Sequence, residues 1–337
     1  MTITTERERL KDRLENLRLR SKALAALRGF FEARGYLEVE TPQRVRSPGL
    51  ELHLRAVEAS GAWLNTSPEY QMKRLLAGGM ERIYQICHAF RDDERGPHHV
   101  TEFTILEWYR VGASITDLME ETEQLFAHVA EAVLGRTTVS GPDGDAGQWL
   151  DLAPGWERLT VSAAAKTFAN VALDGTETGR ELAERARQAG LSMPNHAQEW
   201  DEVFSRILVD AVEPRLGRGR PTILHRYPAR QAALARLCPD DPRFAERFEV
   251  YAGGLELANA FGELIDGTEQ RRRLEADREA RRYLGLCDHP LDERFLAALD
   301  QGVPPTSGIA VGIDRLVMLL CGARRIDDVL TFTPEEL

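Results

Sequence analysis

The chain has 337 residues, 43% of them hydrophobic, and a formal net charge of −11. That is material for one large domain or two small ones with an ordinary core, and no apolar run approaches the roughly 18 residues of a membrane helix. An acidic balance weakens the case for a nucleic-acid surface, because phosphate neutralisation dominates such binding.

The charged residues 6–20 lack the apolar centre of a signal peptide, so the expected location is the cytoplasm. Cys87, Cys238, Cys287 and Cys321 form no C-x-x-C pair, which suggests neither a zinc site nor a disulfide framework. Residues 6–34 read as one long amphipathic helix ending at Gly35, and residues 36–41 as a short strand stopped by Pro42. Further on, Ser67 is expected to cap a helix with Pro68 at its first position.

Residues 90–109 read as strand, polar loop and strand. Arg91 closes the first strand and Phe103 opens the second. Alternation puts Phe103, Ile105, Glu107 and Tyr109 on one face, and Thr104, Leu106 and Trp108 on the other. An aromatic, a carboxylate and a phenol on one face make an odd core but suit a pocket for a flat ring and an amine. Arg91, delivered to the same neighbourhood, suits a phosphate or carboxylate.

Residues 135–220 read as a helical insertion between the halves of a sheet. They hold a turn-rich loop at 141–147 and helical patterns near 180–188 and 200–212, and carry no interpretable motif. Residues 247–264 form two strands around an Ala252-Gly253-Gly254 turn. That hairpin brings Glu249 near Glu256, and two close carboxylates repel unless a cation or a proton sits between them. Oxygen ligands beside a nucleotide suit Mg²⁺. Asn259, Phe261 and Glu263 then alternate onto one face. The run Arg271-Arg272-Arg273 with Arg281-Arg282, interleaved with Glu269, Glu275 and Glu279, reads as a solvated helix face. Residues 308–320 are a glycine-punctuated strand entering an apolar helix. Arg315 sits near the helix start, where free N–H groups favour an anion. Gly308 and Gly312 allow close approach of a ligand to the backbone.

Residues 90–109 and 308–320 resemble motifs 2 and 3 of the class II aminoacyl-tRNA synthetases, most closely the lysyl branch, and residues 34–42 resemble motif 1. The strings TSPEY, KRLL, LEWYR, ERFEVY, ELAN and DRLVML extend the likeness over residues 21–320. They resemble in particular the lysyl-tRNA synthetase paralogues that modify elongation factor P. The resemblance implies an α+β fold, an antiparallel sheet flanked by helices, in a single catalytic domain over 1–337. It also implies a homodimer built through motif 1. An anticodon-binding OB domain is not expected, because too few residues precede the core.

The chemistry implied is activation of (R)-β-lysine or lysine by ATP with Mg²⁺, then transfer to a lysine of elongation factor P. tRNA and membrane are not expected partners. Arg91, Arg315 and Glu256 would carry catalysis, with Arg91 bridging the carboxylate and the α-phosphate. Phe103 and Arg315 would sandwich the adenine, and Asp92, Asp93, His99, Val100, Leu257 and Gly312 would complete the ATP site. Glu249 and Glu256 would hold the metal. Ser67, Pro68, Glu69, Asn259 and Ala310 would line the amino-acid site, with Glu69 on one amine. Glu107, Tyr109 and Glu263 would surround the other, because an ammonium is costly to desolvate without carboxylates.

Several positions depart from the paralogue pattern. Val100-Thr101 stand where Asn-Pro is usual, Asp93 where glutamate is usual and Ala260 where glycine is usual. Ala310 agrees with the paralogues, whereas lysyl-tRNA synthetases carry glycine there. A truncated synthetase that charges tRNA, and a non-catalytic amino-acid sensor on the same core, are the alternative readings.

Overall fold

The computed structural model describes residues 5–337 apart from 53, 93, 141–148 and 195–198. Eight strands form its central sheet: β1 (Leu37–Glu38), β2 (Arg82–Phe90), β3 (Glu102–Val111), β4 (Glu157–Thr160), β5 (Thr222–Pro228), β6 (Phe244–Ala252), β7 (Leu255–Gly262) and β8 (Thr306–Gly312). The spatial order is β1-β2-β3-β8-β7-β6-β5-β4. The inner strands are antiparallel, as expected, whereas both edge strands pair in parallel.

The main helices are α1 (Leu14–Glu32), α2 (Glu69–Ala77), α3 (Ile115–Leu134), α4 (Val161–Ala169), α5 (Gly179–Gln188), α6 (Trp200–Ile207), α7 (Gly267–Tyr283), α8 (Glu293–Gln301) and α9 (Ile313–Cys321). On one side of the sheet, α1, α3 and α9 bury Leu27, Phe31, Leu125 and Leu316 against Tyr84, Leu106, Trp108 and Val311. Leu106 and Trp108 thus take the core face predicted by alternation. Asp314, in the first turn of α9, ties three elements together: it accepts from Arg20 of α1 at 2.5 Å and from the Thr104 N–H of β3 at 2.7 Å. No helix among the described residues is long and apolar enough to cross a membrane.

Four local expectations are corrected. The helix over 6–34 is broken into Glu6–Lys11 and α1. The first piece is set by a capping box of Thr5 and Glu8, and Arg13, at the break, turns its side chain to Glu336 and the Leu330 carbonyl. Of residues 36–41 only Leu37 and Glu38 pair, with β2. Tyr36 instead points inward and donates to Glu121 at 2.7 Å. Pro68 sits one position earlier than expected, at the N-cap of α2, while the Ser67 hydroxyl accepts from the Glu69 N–H at 3.0 Å. The basic helix α7 is also not wholly solvated. Arg281 is buried and donates to the carbonyls of Glu51, Leu54 and Cys287.

The insertion over 135–220 is not purely helical. β4 joins the edge of the sheet, and Thr138–Ser140 pairs with Trp149–Asp151. The expected turn-rich loop at 141–147 lies outside the described residues. Helices α4–α6, with a π-helical turn at Leu208–Val212 continuing α6, close a core of their own around Leu182, Val203, Phe204 and Ile207. That core meets the sheet through Leu224, Tyr227 and Tyr251.

Candidate active site

The strand registers place the site residues side by side. Glu107, Ala310, Asn259 and Glu249 are direct cross-strand neighbours on β3, β8, β7 and β6, and Tyr109, Gly308, Phe261 and Arg247 form the next same-face row. Residues two apart share a face, so aligned antiparallel registers turn four separate sequence patterns into one floor. Above it lies a cavity of about 480 Å³. Ser67, Glu69, Arg91, His99, Val100 and Phe103 line it, as do Glu107, Glu256, Leu257, Asn259, Ala310, Gly312 and Arg315. Pro68, Asp92, Tyr109, Glu249 and Glu263 do not reach its surface, and Asp93 lies outside the described residues.

At one end are the aromatic and cationic groups. The Arg91 guanidinium lies over the Phe103 ring, 5.1 Å from its centroid, and 3.7 Å from Glu94. Arg91 Nε is shut off from solvent with no acceptor, a donor in want of an anion. Arg315, third residue of α9, donates to the Glu256 carbonyl at 2.8 Å and the His98 carbonyl at 3.2 Å, and meets the His99 ring at 2.5 Å. Burial and the Arg315 charge hold the His98 and His99 imidazoles below their ordinary range, so His99 is free to accept. The loop carrying these histidines is tied down from outside: Ile326 N–H donates to the Pro97 carbonyl at 2.8 Å, and Arg95 pairs with Glu335.

At the other end the cavity is acidic. Glu107 is buried and accepts from Ser67 Oγ at 2.6 Å and from the Tyr109 hydroxyl at 2.9 Å. Desolvation and the nearby Glu69 charge push it up to about 7. Glu263 is buried behind Tyr109, and desolvation pushes it up to about 8 despite a Lys73 ion pair. A Cβ on Gly308 would collide with the Tyr109 ring and with Glu263, so this glycine is required by close packing under the amine end.

The β6–β7 turn uses Gly253 and Gly254 at φ +61° and +78°, the paired positive values of a two-residue hairpin turn. A register shift at Val250/Tyr251 sets Glu249 opposite Asn259, and Tyr251 opposite Glu256. Glu256 opens to the cavity, and desolvation with the Glu249 charge pushes it up to about 7. Glu249 is occupied on both oxygens: Arg247 donates to one at 2.6 Å, and Tyr227 and Tyr251 donate to the other at 2.5 and 2.7 Å. Glu256 therefore fits a cation directly, and Glu249 fits as a charge from behind. Among the described residues no cluster of three or more metal-ligating side chains is present, so a cation held by Glu256 would take further oxygens from bound phosphates.

Sequence reasoning missed one residue buried behind the cavity and several of its wall. Lys73, four residues after Glu69 on α2, was legible as an i,i+4 pair. Asp201 and Ser205 of α6, Arg230 and Gln231 after β5, and Asp277 of α7 line the cavity. No local pattern marks them, because only the tertiary fold brings their elements to the rim.

The model of class II (D, K and N) tRNA synthetases matches residues 5–336. Among curated proteins, the elongation factor P–(R)-β-lysine ligases of Erwinia tasmaniensis and of Haemophilus influenzae strain PittGG are each 39% identical, over 331 and 330 residues. That of Proteus mirabilis is 40% identical over 332 residues. Each alignment covers 95% of this chain and 95% of the relative.

Proposed function

The chain belongs to the class II (D, K and N) tRNA synthetases, and from that premise we propose that it is an ATP-dependent ligase. It activates (R)-β-lysine, or lysine, as an aminoacyl-adenylate and transfers it to a lysine side chain of elongation factor P. The observation that carries this reading is the two-ended cavity. A ring-and-arginine end with Arg91, Phe103 and Arg315 faces an acidic end with Glu69 and Glu107 across one floor. The relatives' activity supports the acceptor.

In the first step a carboxylate oxygen of the amino acid attacks the α-phosphorus of ATP, and pyrophosphate leaves. Arg91 exchanges its place over Phe103 for the α-phosphate and the carboxylate, and steadies the charge that builds at five-coordinate phosphorus. Phe103 then stacks on the adenine, and Arg315 covers its other face. Mg²⁺, when bound, would neutralise phosphate charge; Glu256 would hold it, with Glu249 adding negative potential. In the second step the acceptor ε-amine attacks the acyl carbonyl, an amide forms and AMP departs.

Glu107, held by the Tyr109 hydroxyl and with Glu263 beneath, takes one substrate ammonium, and Glu69 takes the other. Ala310, between Glu107 and Asn259, narrows the floor by one methyl relative to glycine. That is a difference worth roughly 1–3 kcal/mol between isomers. The same reading makes the chain one catalytic domain, active in the cytoplasm as a homodimer. The dimer is supported by Leu37, 55% exposed on the edge strand β1.

The test combines the protein with ATP, Mg²⁺, each labelled lysine isomer, and either elongation factor P or tRNA. Intact-mass spectrometry should find one added lysyl group on elongation factor P. Label on tRNA with elongation factor P unmodified would overturn the acceptor assignment.

A further inference from the structure

An ammonium is already buried behind the acidic end of the cavity. Lys73 Nζ lies 2.6 Å from Glu69 Oε1 and 2.5 Å from Glu263 Oε2. The Lys73 and Glu263 side chains are each only 2% exposed. Met72 and Leu76 on either side are fully packed, so this is not one of the solvated i,i+4 pairs that add a few tenths of a kcal/mol to a helix. A buried lysine is retained only when paired, and removing one member of such a group strands the others. Glu263 Oε1 meanwhile has no hydrogen-bond donor.

We propose that Lys73 is a positioning residue for the amino-acid substrate, holding the Glu69 carboxylate at the cavity wall and the Glu263 carboxylate beneath it in one arrangement, and leaving the second Glu69 oxygen for a substrate amine with the Glu263 charge behind. This rests on the reading of the acidic end as an amine site. Two carboxylates within reach of one Nζ repel, and each proton taken up to relieve that repulsion removes an acceptor for an ammonium. A resident cation lessens the need for the proton, although Glu263 is still raised to about 8 beside it. It thereby limits how much charge so acidic an end gives up. Glu69 on α2, Glu107 and Tyr109 on β3, Glu263 after β7 and Glu51 ahead of α2 converge there, with Lys73 and Arg91 as the facing cations. Burial works against the Lys73 charge, but the Glu263 and Glu69 carboxylates outweigh it and hold the ammonium protonated.

The test is ATP–pyrophosphate exchange by the full-length protein, using the lysine isomer it accepts best, followed across pH. Lys73→Met should raise the KM for the amino acid by about tenfold or more near neutral pH, with the KM for ATP unchanged. Its amino-acid KM should also go on falling to higher pH than the wild type's, because Glu263, already raised to about 8 beside Lys73, is raised further without it and supplies its charge later. Lys73→Arg, which keeps the charge, should restore the wild-type profile. Should Lys73→Met fail to fold, Lys73→Gln keeps the polar contacts without the charge and should give the same displaced profile.

An amino-acid KM unmoved in both neutral variants overturns the proposal. So does a loss that is equal for ATP and independent of pH, since that is the mark of a merely structural lysine. Glu263→Gln separates the two levels of inference. If it too leaves the amino-acid KM unmoved, the amine-site reading fails. If it alone raises that KM, only the role of Lys73 fails.

Discussion

Replacing Glu107 with glutamine should cost amino-acid binding and yet stabilise the ligand-free protein at high pH. Burial and the Glu69 charge move Glu107 from an ordinary 4.5 to about 7. The folded state therefore holds this proton more tightly than the unfolded chain does. The group's contribution to stability is full below about pH 4.5, falls as pH rises, and is lost above about pH 7. At about 1.4 kcal/mol per pKa unit, the ionised side chain costs roughly 3 kcal/mol above that range. Glutamine does not titrate. Ser67 and Tyr109 donate to different oxygens, so the amide satisfies only one of them, at a cost of about 1–3 kcal/mol that does not vary with pH. Between about pH 5.5 and about pH 8 the stability difference should move in the variant's favour by roughly 2 kcal/mol. Urea unfolding of both proteins at the two pH values measures this directly. A difference of the same size at both would mean that burial does not raise Glu107, and the electrostatic account of the acidic end would be wrong.

Arg91→Ala should lower lysine-dependent ATP–pyrophosphate exchange by on the order of 10²–10³; a rate within a few-fold of wild type would remove Arg91 from the transition state. Gly308→Ala should leave a soluble protein whose amino-acid KM rises well before its ATP KM, since the added Cβ strikes Tyr109 and Glu263; steady-state kinetics in each substrate would expose the contrary. Glu256→Gln should raise the Mg²⁺ concentration for half-maximal exchange by about tenfold, a single charged ligand having been lost. An unchanged Mg²⁺ titration would place the metal elsewhere.

Much of the sheet was legible because its signals are local. The alternation of Phe103 to Tyr109, the Gly253-Gly254 turn and the entry of β8 into α9 each follow from a handful of neighbouring residues. Pairing β3, β8, β7 and β6 into one floor depends on register, which the sequence implied only through the family likeness. Edge elements were read less well. The strand over residues 36–41 shrank to two residues because Tyr36 is drawn inward by Glu121, a partner 85 positions away. β4 went unseen because a four-residue strand with two exposed positions carries almost no pattern. Arg95, a cation of the loop between β2 and β3, is paired with Glu335. Charge type is visible in a sequence, but the distant partner that neutralises it is not.

Tyr227 and Tyr251 each belong to two neighbourhoods. Their rings pack in the core that α4–α6 close, and their hydroxyls fasten Glu249 behind Glu256. A shift of that helical lobe by a fraction of an ångström would lengthen two short hydrogen bonds on a buried carboxylate without touching any charged residue. Freed of them, Glu249 would lean harder on Arg247 and repel Glu256 differently. Repacking substitutions at Val203 or Ile207, which do not line the cavity, would then register as altered cation affinity. The packing of α4–α6 thereby reaches the acidic hairpin through two tyrosine hydroxyls, although that lobe carries no motif of its own.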